Sequence, residues 1–73
     1  ILARLGKLDS AINHYQTALV RDPKYGLAHY NLGRAYEARG EFTQAEAEYR
    51  EAARLMPDYS AVQQDLERLS RRH

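Results

Sequence analysis

Slid along itself by 34 residues, this sequence meets its own small, aromatic and turn residues again. Gly6 falls on Gly40, Ala11 on Ala45, Tyr15 on Tyr49, Ala18 on Ala52, Pro23 on Pro57 and Tyr25 on Tyr59. Farther on, Leu32 falls on Leu66 and Arg34 on Arg68, and Leu8 meets Phe42 in character. A fixed period of this size marks stacked supersecondary units, each unable to bury its apolar face alone. The coinciding positions are those where packing dictates side-chain size, so the period constrains the fold more than any compositional figure does.

Within each period the apolar residues recur at steps of three and four. Leu8, Ala11, Ile12, Tyr15, Ala18 and Leu19 mark one amphipathic helix; Phe42, Ala45, Tyr49, Ala52 and Ala53 repeat it one period later. Between them, Ala28, Leu32, Ala35 and Tyr36 mark another, and after Pro57 so do Val62, Leu66 and Leu69. Pro23 and Pro57 cannot continue the helices before them and so close a unit. Gly6 and Gly40 are expected to stop a helix, since glycine tolerates the left-handed conformation of a C-terminal cap. Thr43-Gln44-Ala45-Glu46 reads as a capping box opening the helix after Gly40, with Asp9 at the equivalent start one unit earlier. Each unit is therefore predicted to be helix, tight turn, helix and a proline-marked turn.

These residues resemble the tetratricopeptide-repeat family, whose pattern is Trp-x2-Leu-Gly-x2-Tyr, then Ala-x3-Phe, then Pro, over 34 residues. The complete copy spans residues 26–59: His29-x2-Leu32-Gly33-x2-Tyr36, then Gly40, Phe42, Ala45-x3-Tyr49, Ala52 and Pro57. His29 replaces the first aromatic and Tyr49 stands for Phe. Residues 1–25 match the latter part of an earlier copy, so the chain is expected to open inside a repeat, with a front helix reduced to residues 1–5. Residues 60–73 match a first helix, but Glu67 stands where the family has a small residue and Ser70 where it has Tyr. Such departures suit a solvating end helix, and Arg68, Arg71, Arg72 and His73 suit its negative end. The resemblance implies an all-α fold of antiparallel helix-turn-helix repeats stacked in a right-handed superhelix.

It also implies a binding face. In this family the first helix of each unit lines the concave inner surface, which usually holds an extended or helical peptide. By position, the groove residues of the complete unit are Leu27, Tyr30, Asn31, Arg34 and Glu37, off the stripe of Leu32, Ala35 and Tyr36. Their counterparts in the end helix are Ala61, Gln64, Asp65, Arg68 and Arg71. Asn31 offers a peptide backbone both a donor and an acceptor, and Arg34 and Arg68 offer bidentate pairing to a carboxylate. Some members clamp a chaperone's C-terminal carboxylate with Lys, Asn and Arg drawn from three repeats. Asn31 holds the middle position, but Ala61 and Asp65 stand at the third, and Asp65 would repel such a tail.

Other chemistry finds little support. There is no cysteine, hence no disulfide framework or thiolate site. His14, His29 and His73 are scattered; His29 is expected to be a packing residue in the aromatic slot and His14 an exterior one. Ser10, Thr43 and Ser60 are placed near helix starts, where hydroxyls cap. Glu46, Glu48 and Glu51 are expected to face solvent beside Arg50 and Arg54. No glycine-rich phosphate loop occurs, so neither a catalytic residue nor a cofactor is assigned. With 11 basic and 10 acidic residues, the net charge of +1 argues against nucleic-acid binding, and so against the RNA-binding pentatricopeptide repeats of similar length. No apolar run approaches the roughly 20 residues of a membrane span. The opening residues lack the basic segment of a signal peptide, which leaves the cytoplasm as the default location, and the wealth of Arg and Ala suggests a bacterial origin.

The leading expectation is a binding module for a peptide or protein. The alternative is homodimerisation, because Leu8, Ile12, Tyr15 and Leu19 would lack their usual cover beside a shortened front helix, and bare apolar patches drive association.

Overall fold

The computed structural model describes the backbone of residues 2–72 and the side chains of residues 6–71. Four α-helices follow one another: α1 (Leu2–Arg21), α2 (Gly26–Ala38), α3 (Phe42–Leu55) and α4 (Ser60–Arg72). Short turns make each helix pack beside its predecessor.

The period is visible in the backbone hydrogen bonds. Tyr25 N–H donates to the Asp22 carbonyl and Tyr59 N–H to the Met56 carbonyl, both at 3.1 Å. Each closes a turn with proline second, where its fixed φ is already correct. The Asp22 carboxylate accepts from Lys24 N–H at 3.2 Å and reinforces the first of these turns. On the far side, Ala28 and Val62 donate to the carbonyls of Tyr25 and Tyr59 and open α2 and α4 alike. A side chain repeats as well: His29 Nε2 lies 2.9 Å from the Pro23 carbonyl, and Gln63 Nε2 donates to the Pro57 carbonyl at 2.6 Å.

The turn between α2 and α3 depends on Gly40. Its φ of +83° is the left-handed conformation that only glycine adopts without strain. Gly40 N–H donates to Glu37 and Glu41 N–H to Tyr36, so two otherwise orphaned carbonyls at the end of α2 are satisfied.

Two apolar clusters share α2. On one side Tyr30 joins Ala45, Tyr49 and Ala52 of α3 and Val62 and Leu69 of α4, with Tyr36, Phe42, Met56 and Leu66 packed around them. On the other, Leu32 and Ala35 meet Ile12 of α1, flanked by Leu8, Tyr15 and Leu19. Tyr49, Ala45 and Ala52 are wholly buried. Gly33 sits against them so closely that a Cβ would lie 2.8 Å from the Tyr49 ring and 3.2 Å from the Ala45 carbonyl. The small residues of the repeat thus set how near α3 can come to α2.

Several expectations need correction. Gly6 does not end a helix; α1 runs through it unbroken, and Asp9 and Ser10 lie inside α1 rather than at a start. Among the described residues the glycine in the left-handed conformation is Gly40, not Gly6. Continuing α1 instead keeps the i→i−4 bonds for about 1 kcal/mol of glycine penalty. Thr43 does not cap α3. The helix begins at Phe42, behind Glu41, with no side-chain cap bond, and the first bond runs from Ala45 N–H to the Glu41 carbonyl. Packing of Phe42 into the core pulls the start forward. Glu46 and Glu51 do pair with Arg50 and Arg54, but Glu48 turns inward to His29. Ile1, His73 and the side chain of Arg72 lie outside the described residues.

His29 is thus a tie rather than simple filler. Its Nδ1 lies 2.8 Å from Glu48 Oε1 on α3, and its side chain is only 15% exposed. Two oxygens facing the two ring nitrogens require both to donate, which only the charged ring can do. Burial is the largest single influence and opposes that charge, but the bonds to Glu48 and the Pro23 carbonyl, with Glu51 nearby, outweigh it and raise the pKa above the usual 6.5. A folded-state pKa above the unfolded one gives stabilisation that is complete below about pH 6.5 and disappears as pH rises through the folded value. Melting temperature should therefore fall as pH is raised from about 6 to 8.5. A His29→Gln variant should flatten that fall, since Gln63 shows that an amide can keep the proline carbonyl bond. Equal pH slopes in the two proteins would refute the tie.

Candidate functional site

The first helices of successive units, α2 and α4, flank an open hollow of about 610 Å³ lined by Tyr30, Arg34, Glu37, Ala38, Phe42, Tyr49, Asp65 and Arg68. Its floor is aromatic. Tyr30 packs at 5.7 Å from Tyr49 and edge-on at 5.8 Å from Tyr59, and the Arg34 guanidinium stands over the Tyr30 ring at 5.8 Å.

A chain of polar side chains closes across this floor. The Tyr30 hydroxyl donates to Asp65 Oδ2 at 2.5 Å and the Tyr49 hydroxyl to Glu37 Oε1 at 2.8 Å. Arg68 joins the two carboxylates: its Nη1 and Nη2 reach both oxygens of Glu37, the second at 3.0 Å, and Nη2 meets Asp65 Oδ1 at 3.3 Å. Burial and the Asp65 carboxylate push the Tyr30 hydroxyl up to about 12. Burial, then Glu37, pushes the Tyr49 hydroxyl up. Glu37 first and then Asp65 hold the Arg68 guanidinium more firmly charged.

The predicted groove residues divide. Tyr30, Arg34, Glu37 and Arg68 come together in the hollow. Tyr30 is only 8% exposed, so it presents its hydroxyl and ring edge from within the core rather than from a free face; α4 closes over it. Arg68, expected to meet an outside carboxylate, already meets two inside ones. Asn31 lies around the helix in a smaller hollow of about 280 Å³ between α1 and α2, lined by Leu8, Ala11, Tyr15, Asn31, Arg34, Ala35 and Ala38. Arg34 borders both hollows. Leu27, 40% exposed, stands apart in an apolar recess with Leu55, Met56, Pro57, Asp58 and Tyr59.

Asp65 as a hydroxyl acceptor, and Phe42 and Tyr49 in the lining, were missed. A usable signal existed. Tyr30 and Asp65 are 35 residues apart, and Glu37 and Arg68 are 31 apart. Separations of one period plus one residue and one period less three place side chains of adjacent first helices opposite one another.

The tetratricopeptide-repeat profile matches residues 1–60 of the chain. The chain belongs to the tetratricopeptide-repeat family. Membership of the family implies helical hairpins that stack into a superhelix. Among curated relatives, mouse (Mus musculus) protein O-mannosyl-transferase TMTC1 is 33% identical over 64 residues, 88% of this chain and 7% of that protein. Human (Homo sapiens) tetratricopeptide repeat protein 6 is 33% identical over 58 residues, 80% of this chain and 11% of that protein. Human TMTC1 is 31% identical over 64 residues, with 88% and 7% covered. The chain thus spans about a tenth or less of the length of these relatives, and the transferase activity in one name is said of that protein. Membership in the tetratricopeptide-repeat family suggests a protein–protein interaction scaffold. No described helix is long and apolar enough to cross a membrane.

Proposed function

We propose that the chain is a non-catalytic scaffold that holds a peptide or protein segment in the concave hollow between α2 and α4. The observation that carries this reading is the finished floor of that hollow, in which Tyr30 and Tyr49 are hydrogen-bonded to Asp65 and Glu37 and joined by Arg68. A surface whose polar groups are already satisfied loses little order on binding, which favours recognition. The same satisfaction disfavours catalysis, because neither carboxylate lining the hollow is poised as a base. The near-neutral charge supports a protein rather than a nucleic-acid partner.

The test is selection of a displayed random-peptide library on the chain, followed by titration of the winning peptides. They should bind the native chain and lose at least tenfold in affinity, about 1.4 kcal/mol, against Arg34→Ala. A Val20→Ser variant, altered at a site 83% exposed outside the hollow, should bind normally. Failure to select binders, or equal binding by Arg34→Ala, would remove the groove reading.

Self-association is the second reading. Leu8, Tyr15 and Leu19 of α1 are only partly covered by α2, and a second copy could cover them. Light scattering over a dilution series that shows monomer throughout would eliminate it.

A further inference from the structure

We infer that the segment this groove takes carries an acidic residue beside an apolar one, and that Arg34, rather than Arg68, reads the acid. The inference rests on the groove reading above and adds the ligand's chemistry to it. Four charged side chains line the α2–α4 hollow: Arg34, Glu37, Asp65 and Arg68. Three of them are committed to one another, Arg68 being bound by Glu37 and by Asp65. Asp65 also accepts from Tyr30, and Glu37 from Tyr49. A ligand carboxylate approaching Arg68 would have to displace two carboxylates that already sit on it.

Arg34 differs. Its side chain is exposed, it enters no ion pair among the described residues, and its guanidinium is held over Tyr30 by the ring alone. A contact with a ring face uses none of the guanidinium's N–H donors in an ion pair, and the side chain is exposed. Among the described residues, Arg34 is also the one charged side chain lining the adjoining α1–α2 hollow, where Leu8, Ala11, Tyr15 and Ala35 supply apolar wall and Asn31 an amide. One unneutralised cation on the ridge between a polar floor and an apolar pocket fits a carboxylate next to an aliphatic or aromatic side chain. Asn31 is within the same hollow and can bond the peptide backbone between them.

The experiment uses two synthetic peptides with blocked ends, one alternating Leu and Glu, the other with every Glu replaced by Gln. Binding to the chain is read by fluorescence anisotropy at low and moderate salt. Blocked ends exclude a C-terminal carboxylate as the recognised group. The Glu peptide should bind at least tenfold more tightly than the Gln peptide. An Arg34→Gln variant should erase that ratio while an Arg50→Gln variant, which removes the same charge from α3 outside both hollows, keeps it, circular dichroism confirming that both variants are folded. Equal binding of the two peptides, no binding of either, or a preference that survives Arg34→Gln would overturn the inference. These failures are separate from failure of the groove, because the library selection above places no charge requirement on its peptides and can succeed where this test fails.

Discussion

Replacing Tyr49 by alanine is expected to unfold most of the chain at room temperature. The Tyr49 ring is completely buried and touches Tyr30 and the face of α2 at Gly33. Its removal opens a cavity in the larger cluster, and changes of this kind cost about 3–5 kcal/mol. The hydroxyl also leaves, so Glu37 loses one of its donors. A domain of this length holds roughly 4–10 kcal/mol in total, and small domains lie toward the bottom of such a range because they bury less of their surface. Urea unfolding followed by helical circular dichroism will measure the loss. Tyr49→Phe separates the two contributions: the ring stays, Glu37 keeps Arg68, and the cost should be near 1 kcal/mol. If Tyr49→Ala unfolds within about 1 kcal/mol of the native chain, the ring is not what joins α3 to α2 and α4.

Gly33→Ala should be the next most damaging small change, although alanine is the better helix former by about 1 kcal/mol. The new Cβ would stand 2.8 Å from two carbons of the Tyr49 ring and 3.2 Å from the Ala45 carbonyl. That ring cannot step aside, being enclosed on all sides and held through its hydroxyl. Overpacking of this sort costs about 1–3 kcal/mol, so a net loss of up to about 2 kcal/mol is expected after the propensity gain. Gly26→Ala is the matched control. Its Cβ would meet only the Met56 side chain, at 2.6 Å to Cγ and 2.8 Å to the sulfur, and a flexible thioether can move. Thermal melts of the pair should therefore diverge. Equal melting temperatures would mean that the α2–α3 approach is more compliant than the geometry implies.

The contrast between those two glycines shows where sequence reading reached and where it stopped. Gly33 was legible as a close-packing position because it stands in the Leu32-Gly33-x2-Tyr36 stretch of the family pattern, and Gly40 as a turn because a helix must reverse there. Gly6 carried the same period signal as Gly40 and misled. Gly40 is bounded by two full-length helices that gain by folding back on each other, whereas Gly6 is not, so the local preference had nothing to act through. The Thr43 capping box failed because α3 already begins at Phe42, which packs partly buried against the larger cluster and leaves Thr43 inside the helix.

For the candidate site, the family resemblance placed Tyr30, Arg34, Glu37 and Arg68 on one inner face. It left open which of them were already spent on one another. Glu37 and Arg68 read as equally available until α4 was laid beside α2. Only that placement shows Arg68 clasped by two carboxylates and Arg34 left over. His29 likewise looked like a substitute for an aromatic; its partners, Glu48 on the next helix and the Pro23 carbonyl, are brought to it by packing and turn geometry.

The order of helices, the 34-residue period, the proline turns and the small-residue seam follow from local rules, because periodicity, turn chemistry and side-chain volume act over one or two helical turns. Charge pairing does not. It depends on distances of a few ångströms between groups some 30 residues apart, and a rotation of one helix by a fraction of a turn would reassign each partner. The repeat therefore declares the scaffold, and the packing of α4 against α2 and α3 decides which charges pair with one another.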